Sequence, residues 1–383
     1  MGSFNKEINK IVVVHYGNVM LYPPVLNLLE NLLKNNYKVV LISGNTKKLP
    51  KIIIDSNIKL IDIELINSRN ILMRIKRRFG VGGQYKRKLS NVMKNGDIVW
   101  TTTDSTVRAL NKILFKYKHI MQLMELDSFF PLFDGARFLK FDLSAYAKAA
   151  WKTVVPEINR AYIQKVQWKL DRVPAVLPNK PYYLKPENMD EKVQKAILEL
   201  EKDSRKKIMY MGVMSVDRNL EPFAEAVEKL GDDYCLCALG SIPENQKDKF
   251  NTFLKKHPQV RYLGFFNPPN HLNFLKYAYI GLLPYSTEFN SVFISPLNVL
   301  YCAPNKIYEY AGYDVPMLGT DVLGLKLPFE KYNIGVCCPD FKSESIVKGI
   351  RQIERDYLNM KCNCKMFYED TNLDSIVYSI IQE

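Results

Sequence analysis

No apolar run in this sequence approaches the roughly 18 residues that a membrane-spanning helix needs. Even KIVVVHYGNVMLYPPVLNLL is interrupted by polar residues and two prolines, so no segment is expected to cross a bilayer. The amino-terminal MGSFNKEINK has no signal-peptide apolar stretch and carries Lys6 where a myristoylation site needs Ser or Thr, so the product is expected to stay in the cytoplasm. Seven cysteines include no C-x-x-C pair and no neighbouring histidine that would complete a zinc set. They read as small buried hydrophobes in a reducing compartment. No low-complexity bias appears either: hydrophobic residues make up 47% and charged residues 25%, a globular composition.

Positive charge is plentiful, with a formal net of +14. An anionic membrane surface or a nucleic acid is the usual partner for such a balance. The densest cluster is RNILMRIKRRFGVGGQYKRKL, residues 69–89, where Ile71, Leu72, Ile75 and Phe79 share a helical face beside Arg74, Lys76, Arg77 and Arg78. A basic amphipathic helix of this kind suits anionic headgroups, and the same residues also read as a solvated surface helix. No nucleic-acid-binding pattern accompanies the charge, and no nucleic-acid partner is expected.

Val- and Ile-rich runs alternate with helix-period segments from end to end, the pattern of parallel βαβ units. Strands are expected at 10–15, 38–43, 59–65, 97–102, 119–126, 152–156 and 174–178. A Pro- and charge-rich stretch, LPNKPYYLKPENMDEK, then breaks the rhythm as a linker. KKIMYMG, YCLCALG, VRYLGFF, IGLLPY, VPMLGT and GVCCPD continue the strand series beyond it. The fold class expected is α/β, with two Rossmann-like, doubly wound parallel-sheet domains facing a cleft. The first covers 1–184 and the second 185–369, with a carboxyl-terminal helix at about 370–383 packing back on the first. Ligands of such sheets bind at the carboxyl ends of the strands.

One stretch concentrates chemistry: APNKIYEYAGYDVPMLGTD, residues 303–321. Pro304 suits a first helical turn and Gly312 the left-handed residue beyond the helix end. Lys306 adds a full charge to the positive helix start and is a phosphate-ligand candidate. Glu309, one turn on, could accept two hydrogen bonds from vicinal ribose hydroxyls, while Ile307, Tyr310 and Ala311 turn toward a core. By itself the pair reads more readily as an i, i+3 surface ion pair.

The stretch resembles the P-N-K-x-x-E-Y segment of retaining GT-B glycosyltransferases, the family 4-like group that builds bacterial capsules and O-antigens. IMYMGVMSVDRNLEPFAEAVEKL resembles the first strand, loop and helix of their carboxyl domain. VRYLGFFNPPNHLNFLKYAYIGLLPY resembles the segment before their donor loop, and VVPEINRAYIQ with VLPNKPYY the approach to their linker. The resemblance implies transfer of a sugar from a nucleotide diphosphate-sugar to a hydroxyl of a lipid-linked surface glycan, with retention of configuration. It implies donor contacts from Arg218, Lys306 and Glu309, bordered by Gly212, Asn305, Tyr301 and Thr320, with Asp321 beside Thr320. Tyr301 stands where the family's E-x7-E motif has its first glutamate. In the family the leaving phosphate itself is thought to accept the acceptor proton.

There is no D-x-D, the motif with which GT-A transferases hold Mn²⁺ or Mg²⁺ against a diphosphate, so neither a metal nor another cofactor is expected. In the amino half the candidates stand at strand ends. His15, Asp104 and Glu125 are the catalytic candidates, and Gly17, Asn18, Tyr22 and Arg160 the acceptor-side ones. Met124 replaces the histidine of the family's H-E-L, and Glu157 reads also as a helix cap. The partners expected are thus a nucleotide-sugar donor, a glycan or lipid-linked glycan acceptor and the inner face of the plasma membrane. Two rivals share the fold: a nucleotide-sugar epimerase and a catalytically silent partner subunit.

Overall fold

The computed structural model describes residues 10–64, 71–127, 129–132, 138–181, 189–214, 218–286 and 295–382, and for residues 71–79 the backbone. The chain forms two compact units: Met1–Tyr182 with Val292–Asn298 and Asn372–Glu383, and Tyr183–Ser291 with Val299–Thr371.

In the first unit the strands are β1 (Ile11–Asn18), β2 (Val39–Gly44), β3 (Ile58–Asp62), β4 (Ile98–Thr101), β5 (Lys118–Gln122), β6 (Lys152–Val155) and β7 (Ala175–Val176). They pair in parallel in the order β3-β2-β1-β4-β5-β6-β7. Both faces are covered, which is why IVVV and IVW read as unbroken apolar runs rather than alternating ones. Ile11 and Val13 enter one core with Leu28, Leu29 and Leu32, while Val12 and Val14 enter the other with Tyr85, Leu89 and Leu110. The fifth strand is shorter than its apolar run predicts. It ends at Gln122, and residues 123–127 continue as irregular chain.

The basic segment forms the helix Ile71–Val92. It runs through Gly80, Gly82 and Gly83 because Val81, Tyr85 and Leu89 are buried at i, i+4 and i+8, so packing overrides propensity. The side chains of Arg74, Lys76, Arg77 and Arg78 lie outside the described residues. The closing helix Leu373–Gln382 belongs to the first unit, where Val377, Ile380 and Ile381 join its core and Asp374 accepts from Asn31 and Asn35.

The second unit repeats the plan with β8 (Lys206–Met211), β9 (Tyr234–Leu239), β10 (Val260–Gly264), β11 (Ile280–Leu283), β12 (Met317–Thr320) and β13 (Gly335–Cys338). Its parallel order is β10-β9-β8-β11-β12-β13. Strand order therefore reverses between β1 and β4 in one sheet and between β8 and β11 in the other, and ligands of open α/β sheets gather at such switch points. Five of the seven cysteines are buried thiols, as expected of small hydrophobes, but Cys362 is exposed on a helix surface.

Candidate active site

At the β8/β11 switch point, the chain leaves β8 through Gly212 at φ +156° and leaves β9 through Gly240 at φ +150°. The two glycines nest: Gly212 N–H donates to the Leu239 carbonyl at 2.8 Å, and a Cβ on Gly240 would fall 1.7 Å from the Gly212 carbonyl oxygen. A Cβ on Gly212 would lie 2.7 Å from the Tyr210 hydroxyl and 3.1 Å from Cε of Lys306. Glycine here lets backbone and a lysine stem approach closely, as a phosphate cradle requires.

Lys306 stands in the first turn of the helix Asn305–Ala311, capped by Pro304. Pro304 precedes the helix rather than opening it, and Gly312 is right-handed at φ −68°. The left-handed residue is Asp314, after which Val315 N–H returns to the Tyr310 carbonyl. Ile307, Tyr310 and Ala311 are buried, and the Tyr310 hydroxyl donates to the Met209 carbonyl at 2.8 Å. With only seven residues the helix has a small dipole, so the lysine supplies most of the local field.

Lys306 and Glu309 form no ion pair with each other. Glu309 is buried at 5% exposure, and Nε2 of His271 lies 3.5 Å from its carboxylate. Burial pushes its carboxyl up, but His271 and the charge of Lys306 outweigh that and hold it below the ordinary carboxylate range. Lys306 is half-buried and makes no hydrogen bond or ion pair among the described residues. Burial pushes its ammonium down; Glu309 offsets part of this, and Arg218 adds a repulsive push in the same direction as burial. Two cations thus sit within each other's field, with a buried ionised carboxylate close behind them.

Arg218 is positioned through an aromatic ring. Its guanidinium lies 4.2 Å from the Tyr285 ring centroid. Tyr285, just beyond β11, is held by Thr320: its N–H donates to Thr320 Oγ1 at 3.1 Å, and that hydroxyl donates to the Tyr285 carbonyl at 2.6 Å. The Thr320 hydroxyl is therefore engaged by backbone, and it acts on Arg218 through Tyr285. Asp321 pairs with Lys326 at 3.1 Å on the surface. Gly324 brings the next helix against the backbone of Tyr301 and Cys302, where a Cβ would lie 2.2 Å from the Cys302 carbonyl. Asn305 opens the lysine helix.

At the β1/β4 switch point of the first unit, His15 is fully buried. The Thr102 hydroxyl donates to the Val14 carbonyl at 3.2 Å, so its oxygen accepts from His15 Nδ1–H at 2.9 Å. Nε2 then carries a lone pair, and it is buried without a partner among the described residues. Burial pushes the imidazole down to about 3, so it is neutral. Tyr22 packs on the ring at 4.3 Å between centroids. Gly17, at φ +111°, and Asn18 serve the local turn: Gly17 N–H donates to the Tyr85 hydroxyl, and Asn18 caps Met20 N–H.

Tyr22 lies in the field of Asp104 and Glu125. Glu125 accepts from Asn298 Nδ2 at 2.7 Å, and Leu126 N–H donates to Asn298 Oδ1 at 2.8 Å. Arg160, 4% exposed, donates to the carbonyls of Met124 and Asn298 at 2.8 Å each and so braces this irregular chain. Glu157 is a helix cap, accepting from Arg160 N–H at 3.0 Å.

Sequence reasoning missed Asp127, two residues beyond Glu125, as well as His271 and Tyr285, which lie inside VRYLGFFNPPNHLNFLKYAYIGLLPY with nothing local to mark them. Asp127 is pushed up to about 9 by burial and by the hydrogen bond and charge of Asp104, with Glu125 adding to the rise and Arg160 opposing it. The folded state thus keeps a proton that the unfolded chain loses above its ordinary 3.8, and stability falls as pH rises between those two values. Asp127→Asn is expected to lose less melting temperature than the wild type as pH rises across that window. Parallel melting curves for the two proteins would refute the shared proton.

Among the described residues no group of three or more His, Cys, Asp or Glu is arranged to hold a metal ion, and no helix is long and apolar enough to cross a membrane.

No protein-family model matches the chain, and no curated protein matches it. Solved structures do. A glycosyltransferase from Rickettsia africae aligns over 98% of this chain and 97% of its own, with a TM-score of 0.63 and 16% identity. Anabaena HepE in complex with UDP and glucose aligns over 97% and 98%, with a TM-score of 0.68 and 9% identity. A putative UDP-N-acetylglucosamine 2-epimerase from Listeria monocytogenes aligns over 97% and 95%, with a TM-score of 0.59 and 13% identity. At these identities the likeness is one of fold, and the fold is GT-B.

Proposed function

We propose that the protein is a glycosyltransferase that moves a sugar from a nucleotide diphosphate-sugar to a hydroxyl of a lipid-linked surface glycan, with retention and without a metal. The observation that carries this reading is the pair Lys306 and Arg218. Two cations in one field, one of them half-buried without a hydrogen bond or ion pair among the described residues, suit an anion of more than one charge. Glu309, ionised and buried behind them, suits the vicinal hydroxyls of a ribose.

In the proposed reaction the bond from the anomeric carbon to the diphosphate breaks as the acceptor oxygen bonds to that carbon on the same face. The acceptor proton passes to the leaving phosphate oxygen. Negative charge builds on that diphosphate, and Lys306 and Arg218 stabilise it. His15 offers its Nε2 lone pair to a substrate hydroxyl and, being neutral, adds no charge of its own.

A uridine diphosphate-sugar is the first donor to test, because HepE is described with UDP and glucose. A thermal-shift panel of nucleotide sugars is expected to raise the melting temperature for the true donor. Donor turnover should then yield free nucleoside diphosphate in the presence of an acceptor glycan. A changed sugar still attached to its nucleotide would favour an epimerase. No shift with any nucleotide sugar would overturn the reading.

A further inference from the structure

The two groups that act on Glu309 come from different elements. Lys306 carries its stem to the end of β8, where Cε lies 3.1 Å from the Cβ position of Gly212. His271 comes from the connection between β10 and β11 and brings Nε2 to 3.5 Å from the carboxylate. Among the described residues it is the one side chain within ion-pair distance of Glu309, and the pair is enclosed, with side-chain exposures of 14% and 7%.

Backbone and core together hold His271 in place. It is the second residue of the short helix Asn270–Tyr277, whose Leu272, Phe274 and Leu275 are buried in the same core as Ile307, Tyr310 and Ala311 of the lysine helix. Asn270 N–H donates to the Asn267 carbonyl at 2.8 Å and Leu272 N–H to the Pro269 carbonyl at 2.9 Å, so main-chain hydrogen bonds bracket the histidine on both sides. Phe274 packs on Phe266 with 4.6 Å between ring centroids.

The two ring nitrogens differ in their surroundings. Nε2 faces an ionised acceptor, which requires a proton on that nitrogen. Nδ1 is buried with no hydrogen-bond partner among the described residues. A histidine placed for stability alone would ordinarily satisfy both, because an unpaired buried polar atom is costly. The fold leaves one nitrogen unpaired and turns the other to Glu309, which ties the position of the ring to the carboxylate. A carboxylate accepts from both hydroxyls of a diol through its two oxygens, whereas a protonated carboxyl has fewer acceptor sites. His271 and Lys306 both oppose the effect of burial on Glu309. A bound diphosphate would engage the charge of Lys306, leaving His271 to keep Glu309 ionised.

We propose that His271 is a positioning residue for the donor: it holds the Glu309 carboxylate toward the ribose, and through it the site selects a ribonucleoside diphosphate over one that lacks the vicinal hydroxyls. The proposal rests on the reading of Glu309 as the ribose ligand of a nucleotide-sugar site.

Calorimetric titration of the full chain with UDP, 2′,3′-dideoxyuridine diphosphate and inorganic pyrophosphate tests it. The wild type is expected to prefer UDP to the dideoxy compound by roughly 10- to 100-fold, the effect of two hydrogen bonds to a charged acceptor. His271→Leu should lower UDP affinity about tenfold or more and reduce the preference to within about threefold, with dideoxy-compound and pyrophosphate affinities unchanged. His271→Asn, still polar but too short to reach Glu309, should show the same loss and serves if the leucine protein does not fold. His271→Gln, which keeps a donor near the place of Nε2, should restore most of the preference.

A wild-type preference retained in the leucine or asparagine variant overturns the proposal and leaves the donor reading standing. So does an equal fall in affinity for all the ligands, pyrophosphate included, without rescue by glutamine, the result expected of a residue that serves packing alone. A wild type that binds UDP and the dideoxy compound equally removes Glu309 from the ribose, and the proposal with it. A wild type that binds no UDP overturns the uridine-donor reading and the proposal together.

Discussion

Lys306→Met is expected to weaken nucleoside-diphosphate binding by roughly 2–4 kcal/mol, a factor of about 30 to 1,000, while leaving the fold as stable as the wild type or more so. The two directions follow from one fact. The ammonium is half-buried beside a second cation, so the folded protein holds a charge that it does not satisfy by itself. Methionine keeps the stem that packs near Gly212 and removes the charge. Because the folded state depresses the lysine below its ordinary 10.5, the unfolded chain holds that proton more tightly. Lys306 therefore contributes a rise in stability with pH between its depressed value and 10.5, opposed up to about 9 by the fall that Asp127 contributes, and diphosphate affinity falls as the lysine loses its proton. The methionine variant should lack the contribution of Lys306 to both. Calorimetric titration with UDP at two pH values, alongside melting curves, checks both; undiminished affinity in the variant would remove Lys306 from the site.

Much of the fold was legible because parallel strands buried on both faces must be apolar runs, as β2, β4, β9, β11 and β12 are, whereas the edge strand β3 is exposed at Lys59 and Asp62. Where reading fell short, the information was three-dimensional. HIMQLMEL looks like one strand, but only its first half finds a neighbour. Pairing of β5 with β6 ends at Gln122, and Glu125 and Asp127 belong to irregular chain braced by Arg160 and Asn298. Asn298 lies more than 170 residues from Glu125, a partnership no local pattern could reveal.

The candidate site divides in the same way. Lys306 and Glu309 were candidates by helix position, and the family resemblance is what implied their donor contacts. Spacing also offered an ion pair between them, and burial decides against it by turning Glu309 toward His271. Thr320, at the end of a strand, was expected to border the donor or to serve as a structural turn residue. Its hydroxyl fixes Tyr285, whose ring underlies Arg218, and that relation depends on two strands meeting side by side.

Gly240→Ala is expected to be the most damaging single methyl group that can be added near the donor side. The glycine ends YCLCALG as an ordinary strand terminator would, yet its Cβ position lies 1.7 Å from the Gly212 carbonyl oxygen and 2.6 Å from its carbon. Both obstacles are backbone, so no side-chain rotation relieves the clash, and φ of +150° is itself strained for alanine. Strain and overpacking together suggest a loss of about 3–5 kcal/mol, or roughly 10 °C in the melting temperature of a unit this size. Gly231 supplies the control. It has φ +96° with nothing within 4 Å of its Cβ position, so Gly231→Ala should cost only the backbone term, about 1–2 kcal/mol. The difference has a functional side as well. Gly212 cannot yield to a Cβ on Gly240 without shifting relative to Tyr210 and Lys306, so Gly240→Ala protein that still folds at low temperature should bind UDP more weakly, while Gly231→Ala should bind it as the wild type does. Equal melting temperatures for the two alanine variants would mean that the β8 and β9 ends are not nested as described.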